Sequence, residues 1–418
     1  MLLTMILLMS AAGAAAQDWA KPALRLLHRL DLRDLGYTLV NEVPAQSSAI
    51  TSLLAARDGN IYGATSGQQA YLLVFEPRTN KVRHLGRIQG QQGVHHALVE
   101  DAEGNLYVGT GKSMLEEFSL TPGKPGEAGI HELLWNDIRR HFASDPGGHL
   151  YRYRPKQSNS RVKLPAMDCE LEDLGIPVAN NAVYALTASP DSRELYGLSY
   201  PDGHFFVYLA GERKLTDLGP IDREVVFHGP ERHWRSLPRA LVCDPAGRVF
   251  TSGTNGAVVY YCPQAKKIIE TGLRVPGDYY HVQFYRDHAV VECLAPAPSG
   301  LIYGGTCDGY LFAFDPAKMK LTNLGKPRAS RRLRCLTVAP SGKVYMMAGE
   351  RSAAKPCQGY CYDPGEGGFE DLGLLIVDRS PYYYWRGYQF DAMVAARDGT
   401  IYLGESERRS HLFLLVPE

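Results

Sequence analysis

Two adjacent histidines, His95 and His96, follow the glycine-rich stretch Gln89-Gly90-Gln91-Gln92-Gly93 and open an apolar run. Imidazole takes up and releases a proton near neutral pH, so a histidine facing a cleft is a candidate general base. The plainer alternative is a histidine hydrogen-bonded inside a core. Tyr184, Arg239, Arg334 and Arg386 lie at comparable places, at or just before the start of later apolar runs. An arginine beside a histidine or tyrosine is what β-elimination from a uronic acid requires. The cation neutralises the carboxylate and acidifies the α-proton, and the other groups remove that proton and return one to the leaving oxygen. His96, Tyr184 and Arg239 form the candidate catalytic set. Hydrolysis by a carboxylate pair is less well supported, because Glu231, Asp278 and Asp287 are interspersed with arginines and read as their ion-pair partners. The chain has no H-E-x-x-H, no G-x-S-x-G and no phosphate loop.

The elements that must position these residues come from an internal repeat. Residues 49–88 and 291–327 share one order: an apolar strand, an Asp-Gly or Ser-Gly turn, a strand with Ile-Tyr-Gly, an aromatic strand ending in Glu-Pro or Asp-Pro, and a strand ending in Leu-Gly. Further copies begin near His96, Ala182, Pro238, Leu333 and Asp391. Four short strands per copy, joined by tight turns, are the pattern of a propeller blade. The last copy ends after three strands, and residues 23–37 match the fourth-strand pattern of residues 214–220. The expected fold is all-β, a seven-bladed β-propeller closed by an N-terminal strand that completes the last blade. The second copy carries an insertion over 111–147 in which Trp135-Asn136-Asp137-Ile138-Arg139-Arg140 suits one or two helical turns.

The first turn of each copy is short and repetitive, which suits a scaffold, whereas the connections between copies are long and unlike one another. Residues 222–236, 277–288, 328–334 and 376–389 are more than twice as aromatic as the whole chain, and Arg outnumbers Asp and Glu in them. Aromatic faces stack on sugar rings, and Arg grips a carboxylate or sulfate with a two-pronged hydrogen bond. His95, His233, Trp234, Arg235, Tyr280, His281, Arg334, Tyr384, Trp385 and Arg386 are therefore the candidate substrate-binding residues. The competing explanation is that these loops pack on one another and cover the strand ends.

Among 418 residues, 45 Lys or Arg balance 45 Asp or Glu. That argues against a nucleic-acid binder or a binder of anionic membranes, both of which need a basic excess. Leu2–Ala16 is apolar and ends in Ala14-Ala15-Ala16, the pattern of a cleaved export signal, so residues 1–16 are expected to be a signal peptide. Residues 17–418 are then one propeller domain, secreted or periplasmic, without a membrane span and monomeric. Of the eight cysteines, Cys243, Cys293 and Cys335 sit in hydrophobic runs as small apolar residues. A disulfide among Cys307, Cys357 and Cys361 is compatible with export, and no CxxC spacing supports zinc.

With its DGxIYGxT-type repeats, Gly93-Val94-His95-His96 at the second blade and basic-aromatic connections, the chain resembles the propeller polysaccharide lyases. That group includes ulvan lyases, rhamnosyl-glucuronate lyases and related rhamnosidases. The resemblance implies an acidic polysaccharide or oligosaccharide as partner, with His96 matching the family's first blade-two histidine and Tyr184 its tyrosine. The chain departs from the family pattern at Gly111-Lys112-Ser113-Met114, where a second histidine is expected, and at Tyr200, where an arginine is expected. A rhamnosidase-like hydrolase or a non-catalytic glycan- or protein-binding propeller are the alternatives. No cofactor is required, and a structural divalent cation in the central channel is compatible with the fold.

Overall fold

The computed structural model describes residues 30–37, 43–113, 138, 140–156, 167–221, 237–253, 256–278, 289–329, 332–349, 357–379, 381, 383–407 and 409–417. The candidate signal segment, and with it the proposed cleavage point, lies outside the described residues. Seven four-stranded antiparallel sheets and one two-stranded hairpin account for the described strands. In six sheets the strands follow sequence order. The seventh takes Phe390–Ala395, Ile401–Glu405 and His411–Pro417 from the end of the chain and Leu30–Tyr37 from its beginning. Leu30 pairs with Pro417 and Leu32 with Leu415, so the two ends of the chain close the ring with backbone hydrogen bonds. Neighbouring inner strands touch all the way round. The seven-bladed propeller with an N-terminal closing strand is the fold expected from the repeat.

Local sequence explains why each copy becomes a blade. The first turn needs one residue at positive φ, and Gly59, Gly104, Gly247, Gly300, Gly342 and Gly399 supply it with φ between 81° and 89°. Blade three has no glycine there, and Ser192 takes the left-handed position at φ 57°. The Tyr-Gly pair of the second strand has a packing role. Gly197 lies opposite Phe206, and Gly304 opposite Phe312, on the third strand. A Cβ on Gly304 would stand 2.1 Å from Phe312 Cζ, and one on Gly197 2.0 Å from Phe206 Cζ. The aromatic ring folds across the glycine and fills the layer between blades.

The second blade is irregular, and its third strand, Leu150–Tyr153, follows the insertion. Ile138 and residues 140–143 of the insertion are helical, and Ile138 and Phe142 are buried against blade three, where Phe142 meets the Tyr200 ring edge-on at 5.6 Å. None of the eight cysteines is in a disulfide, and Cys307, Cys357 and Cys361 are all buried.

Replacing Gly304 by Ala forces the Phe312 ring to move and is expected to cost about 1–3 kcal/mol. Gly63→Ala should cost less, because its Cβ would meet only the flexible ends of Leu73 at 2.9 Å and Leu53 at 3.1 Å. Urea midpoints of the two variants check the order.

Candidate functional site

The site begins with a repeated irregularity. In blades one, three, five, six and seven the inner strand slips by one residue against its neighbour, and the extra residue is Thr51, Tyr184, Glu292, Arg334 or Asp391. Register places His96 and Arg239 at the same position in blades two and four. A bulge re-aims a side chain, and at this position His96, Arg239, Glu292 and Asp391 line a cavity on the axis, whereas Thr51 bonds Ser66 and the Val94 carbonyl and Tyr184 packs on Tyr200. His96 reaches its orientation with a left-handed φ of 49°, an uncommon conformation for a residue with a Cβ. After each bulged residue comes a small one and then Leu or Met, from Thr51-Ser52-Leu53 round to Asp391-Ala392-Met393.

The ring of seven polar residues is charged and mostly buried. Arg239 Nη1 donates to Glu292 Oε2 at 2.9 Å and lies 3.4 Å from Asp391 Oδ1. Arg332 Nε and Nη2 donate to the two Glu292 oxygens at 3.0 and 2.8 Å. Arg334 donates to Asp391 at 2.5 Å and to the Phe390 carbonyl at 3.2 Å. Three guanidiniums meet two carboxylates, leaving one excess positive charge at the hub. The arginines hold Asp391 well below the usual carboxylate range despite its burial. Arg239 is raised by the two carboxylates against the effect of burial and stays charged. Among the described residues Arg239 makes its side-chain hydrogen bonds through Nη1, which leaves Nε and Nη2 without a protein partner.

A cavity of about 210 Å³ lies on the axis, with His96, Arg239, Glu292 and Asp391 among its walls at the ring and the Leu or Met positions below. His96 Nε2 is buried and has no hydrogen-bond partner. Burial, then the charge of Arg239, lowers the His96 pKa to about 3, so the imidazole is neutral. Tyr184 occupies the next hub position, and burial above all raises its pKa to about 12, keeping the phenol protonated. Its ring packs 5.2 Å from that of Tyr200. Tyr184 is 3% exposed and does not line the cavity.

The remaining candidates fare unevenly. His95 is buried beside Lys112 and is lowered to about 4, chiefly by burial. Arg334 is spent on Asp391. Trp385 and Arg386 belong to the hairpin of Ile376–Arg379 and Tyr383–Arg386. Trp385 faces protein: its ring stacks on His411 at 4.0 Å and its Nε1 donates to Glu405 at 3.1 Å. Tyr384 and Tyr388 are the outward faces of this segment, at 57% and 49% exposure, with the Arg386 guanidinium 5.3 Å over the Tyr388 ring. Arg386 does not line the cavity. His233, Trp234, Arg235, Tyr280 and His281 lie outside the described residues, as do Glu231 and Asp287. Asp278 is an ion-pair partner, of Lys326 at 2.7 Å.

Glu292 and Asp391 are hub residues that motif reading missed. Aligning the repeats on their polar–small–Leu or Met triplet exposes both. Among the described residues no group of three or more His, Cys, Asp or Glu could hold a metal ion. The two hub carboxylates are turned to arginines, an arrangement that favours an anion over a cation at this level.

No protein-family model and no curated protein matches the sequence. Solved structures do. A streptogramin B lyase is similar at TM-score 0.62 and 8% identity, over 93% of this chain and 98% of that one. A fungal alcohol oxidase in complex with copper is similar at TM-score 0.58 and 13% identity, over 92% and 75%. The extracellular domain of a one-component system from B. thetaiotaomicron is similar at TM-score 0.55 and 14% identity, over 92% of this chain and 40% of that one. At these identities the likeness defines the class of fold, the seven-bladed β-propeller. No described helix is long and apolar enough to cross a membrane.

Glu405 sets a measurable property of the hairpin. It is fully buried and accepts from Trp385 Nε1, Tyr388 N and His411 N at 3.0–3.1 Å, yet burial outweighs these bonds and raises its pKa from 4.5 to about 7. The folded protein therefore keeps a proton that the unfolded chain has already lost, and stability falls as pH rises from 4.5 to about 7. The loss is at most about 3 kcal/mol. Glu405→Gln should remove this slope in chemical denaturation series taken across that window.

Proposed function

We infer that this protein is a secreted, carbohydrate-active propeller that receives the carboxylate of an acidic sugar at its hub, with β-elimination as its reaction. One observation carries the reading: Arg239, with two unengaged donor nitrogens, lines the same cavity as His96, whose buried Nε2 has no hydrogen-bond partner. A guanidinium with donors to spare, in a cluster of net positive charge, suits a carboxylate. The carboxylate on Arg239 acidifies the adjacent C–H, and neutral His96 takes that proton. The bond from the β-carbon to the glycosidic oxygen breaks, and the leaving oxygen takes the proton now held by His96, because Tyr184, buried against Tyr200, does not line the cavity. Tyr384 and Arg386 on the hairpin offer an aromatic and cationic surface for neighbouring sugars. A hydrolytic carboxylate pair draws no support here, because Glu292 and Asp391 are both tied to arginines. A second reading, glycan binding without reaction, draws on the burial of Tyr184 away from the cavity.

Incubation with uronate-containing polysaccharides separates these readings. Elimination produces an unsaturated uronate with ultraviolet absorbance, and hydrolysis releases reducing ends without it. Binding heat with neither product supports the non-catalytic reading. If elimination occurs, His96→Gln should lower kcat/KM by at least about a hundredfold at unchanged melting temperature, and Arg239→Gln should lower it as far while also lowering the melting temperature, because Glu292 and Asp391 lose a buried cation. Because His96 titrates near 3, the kcat/KM profile should show no limb near pH 6.5, the position of an ordinary histidine.

A further inference from the structure

A second cationic cluster lies on the opposite face of the propeller. Arg152 stands directly across from Glu172 in blade two, and its Nε and Nη2 donate to Glu172 Oε2 at 2.9 and 2.6 Å. Arg154, two residues on and therefore on the same side of the strand, donates to the same oxygen. Arg213 reaches across from the third turn of blade three and donates to Oε1. Lys156 joins this edge, its Nζ 3.2 Å from the carbonyl of Glu103 in the first turn of blade two. That contact fixes the location, on the face of the short hairpin turns and away from the polar ring.

The charge balance is uneven. Three guanidiniums share one carboxylate, which the arginines pull below its usual range although burial opposes them. Arg154 and Arg213 each spend a single nitrogen on Glu172, and their side chains are 34% and 60% exposed. Most of their donors therefore point to solvent in a fork suited to an oxyanion. Beneath them Tyr208 is fully buried, its hydroxyl has no hydrogen-bond partner, and it lies within the field of all three arginines. A purely structural ion pair needs one arginine for one glutamate, and this cluster holds two positive charges more.

We propose that Arg154 and Arg213, backed by the Arg152–Glu172 pair, form an oxyanion site that binds the carboxylate or sulfate groups of an acidic polysaccharide outside the hub. The polymer class rests on the acidic-sugar reading of the hub, and the oxyanion site itself does not.

The test uses the full chain with three probes: polygalacturonate for carboxylates, dextran sulfate for sulfates, and neutral dextran. Calorimetry at several salt concentrations compares the wild type with the double variant Arg154→Ala/Arg213→Ala and with Arg239→Gln. Both replaced side chains are solvent-facing, and the Arg152–Glu172 pair is retained, so the melting temperature should hold. The double variant should bind a charged probe roughly tenfold or more weakly and with a flatter salt dependence, while Arg239→Gln retains that salt-dependent binding. Loss with dextran sulfate alone assigns the site to sulfates, and loss with polygalacturonate alone assigns it to carboxylates. Unchanged affinity and salt slope in the double variant, or equal binding of neutral dextran, overturns the proposal. Failure of the hub reading would appear separately, as an Arg239→Gln variant indistinguishable from wild type in turnover and in binding of uronate oligosaccharides.

Discussion

The structure turns on one guanidinium. Arg239 of blade four places Nη1 between Glu292 of blade five and Asp391 of blade seven, while Arg332 and Arg334 enter the same cluster at the start of blade six. A propeller brings seven sheet edges to one axis, and nothing in the individual sheets holds those edges in register across it. The ion cluster does so for four of the seven blades. Burying five charges is costly, and the cost is offset only when nearly every lone pair is met by a donor. That condition is satisfied at Glu292, whose oxygens take three bonds from two arginines. The ring of charge is thus a structural clasp first. Three arginines against two acids leave Arg239 with nitrogens that no described protein group uses.

The closing strand and the hub divide the work of keeping the ring shut. Leu30–Tyr37 adds backbone hydrogen bonds at the outer edge of blade seven, and Asp391 adds charge at its inner edge. Between them the hairpin over Tyr383–Arg386 rests on Glu405 through Trp385, so the aromatic surface it displays is tied to the same blade. A carboxylate buried for this purpose carries a raised pKa, since three neutral donors do not replace the hydration it has lost. Asp391, surrounded by guanidiniums, is displaced the other way. Two acids in one blade therefore respond to pH with opposite signs.

Much of this was readable before any coordinates. The repeat specified the number of blades, the closing strand and the position at which His96, Tyr184, Arg239 and Arg334 enter the hub, because a strand start in a propeller has a fixed place relative to the axis. What each side chain meets there was not readable. Arg334 and Asp391 are 57 residues apart in the chain, and no local pattern distinguishes an arginine that waits for substrate from one that already holds a carboxylate. Trp385 illustrates the same limit: its run of aromatics marks a surface, yet the hairpin turns the tryptophan inward onto His411 and leaves Tyr384 outside. The cluster of Arg152, Arg154 and Arg213 leaves no local mark in the sequence, because it forms only when two blades lie side by side.

The distribution of constraint along each repeat explains how so divergent a chain keeps this fold. The turn glycine, the Tyr-Gly pair under an aromatic ring, and the small–Leu or Met step after the bulge specify the blade. The residue at the bulge position varies among Thr, His, Tyr, Arg, Glu and Asp, and in four of the seven blades it lines the axial cavity. Seven such positions can be rewritten with little change to the scaffold, provided that buried charges remain paired. Structures of this shape at 8–14% identity are as unlike as a streptogramin B lyase, a copper-bound alcohol oxidase and an extracellular domain of a one-component system. Shape therefore says little about chemistry in this class. Here the side chains that line the hub cavity include a neutral imidazole, His96, and an arginine with donors to spare, Arg239.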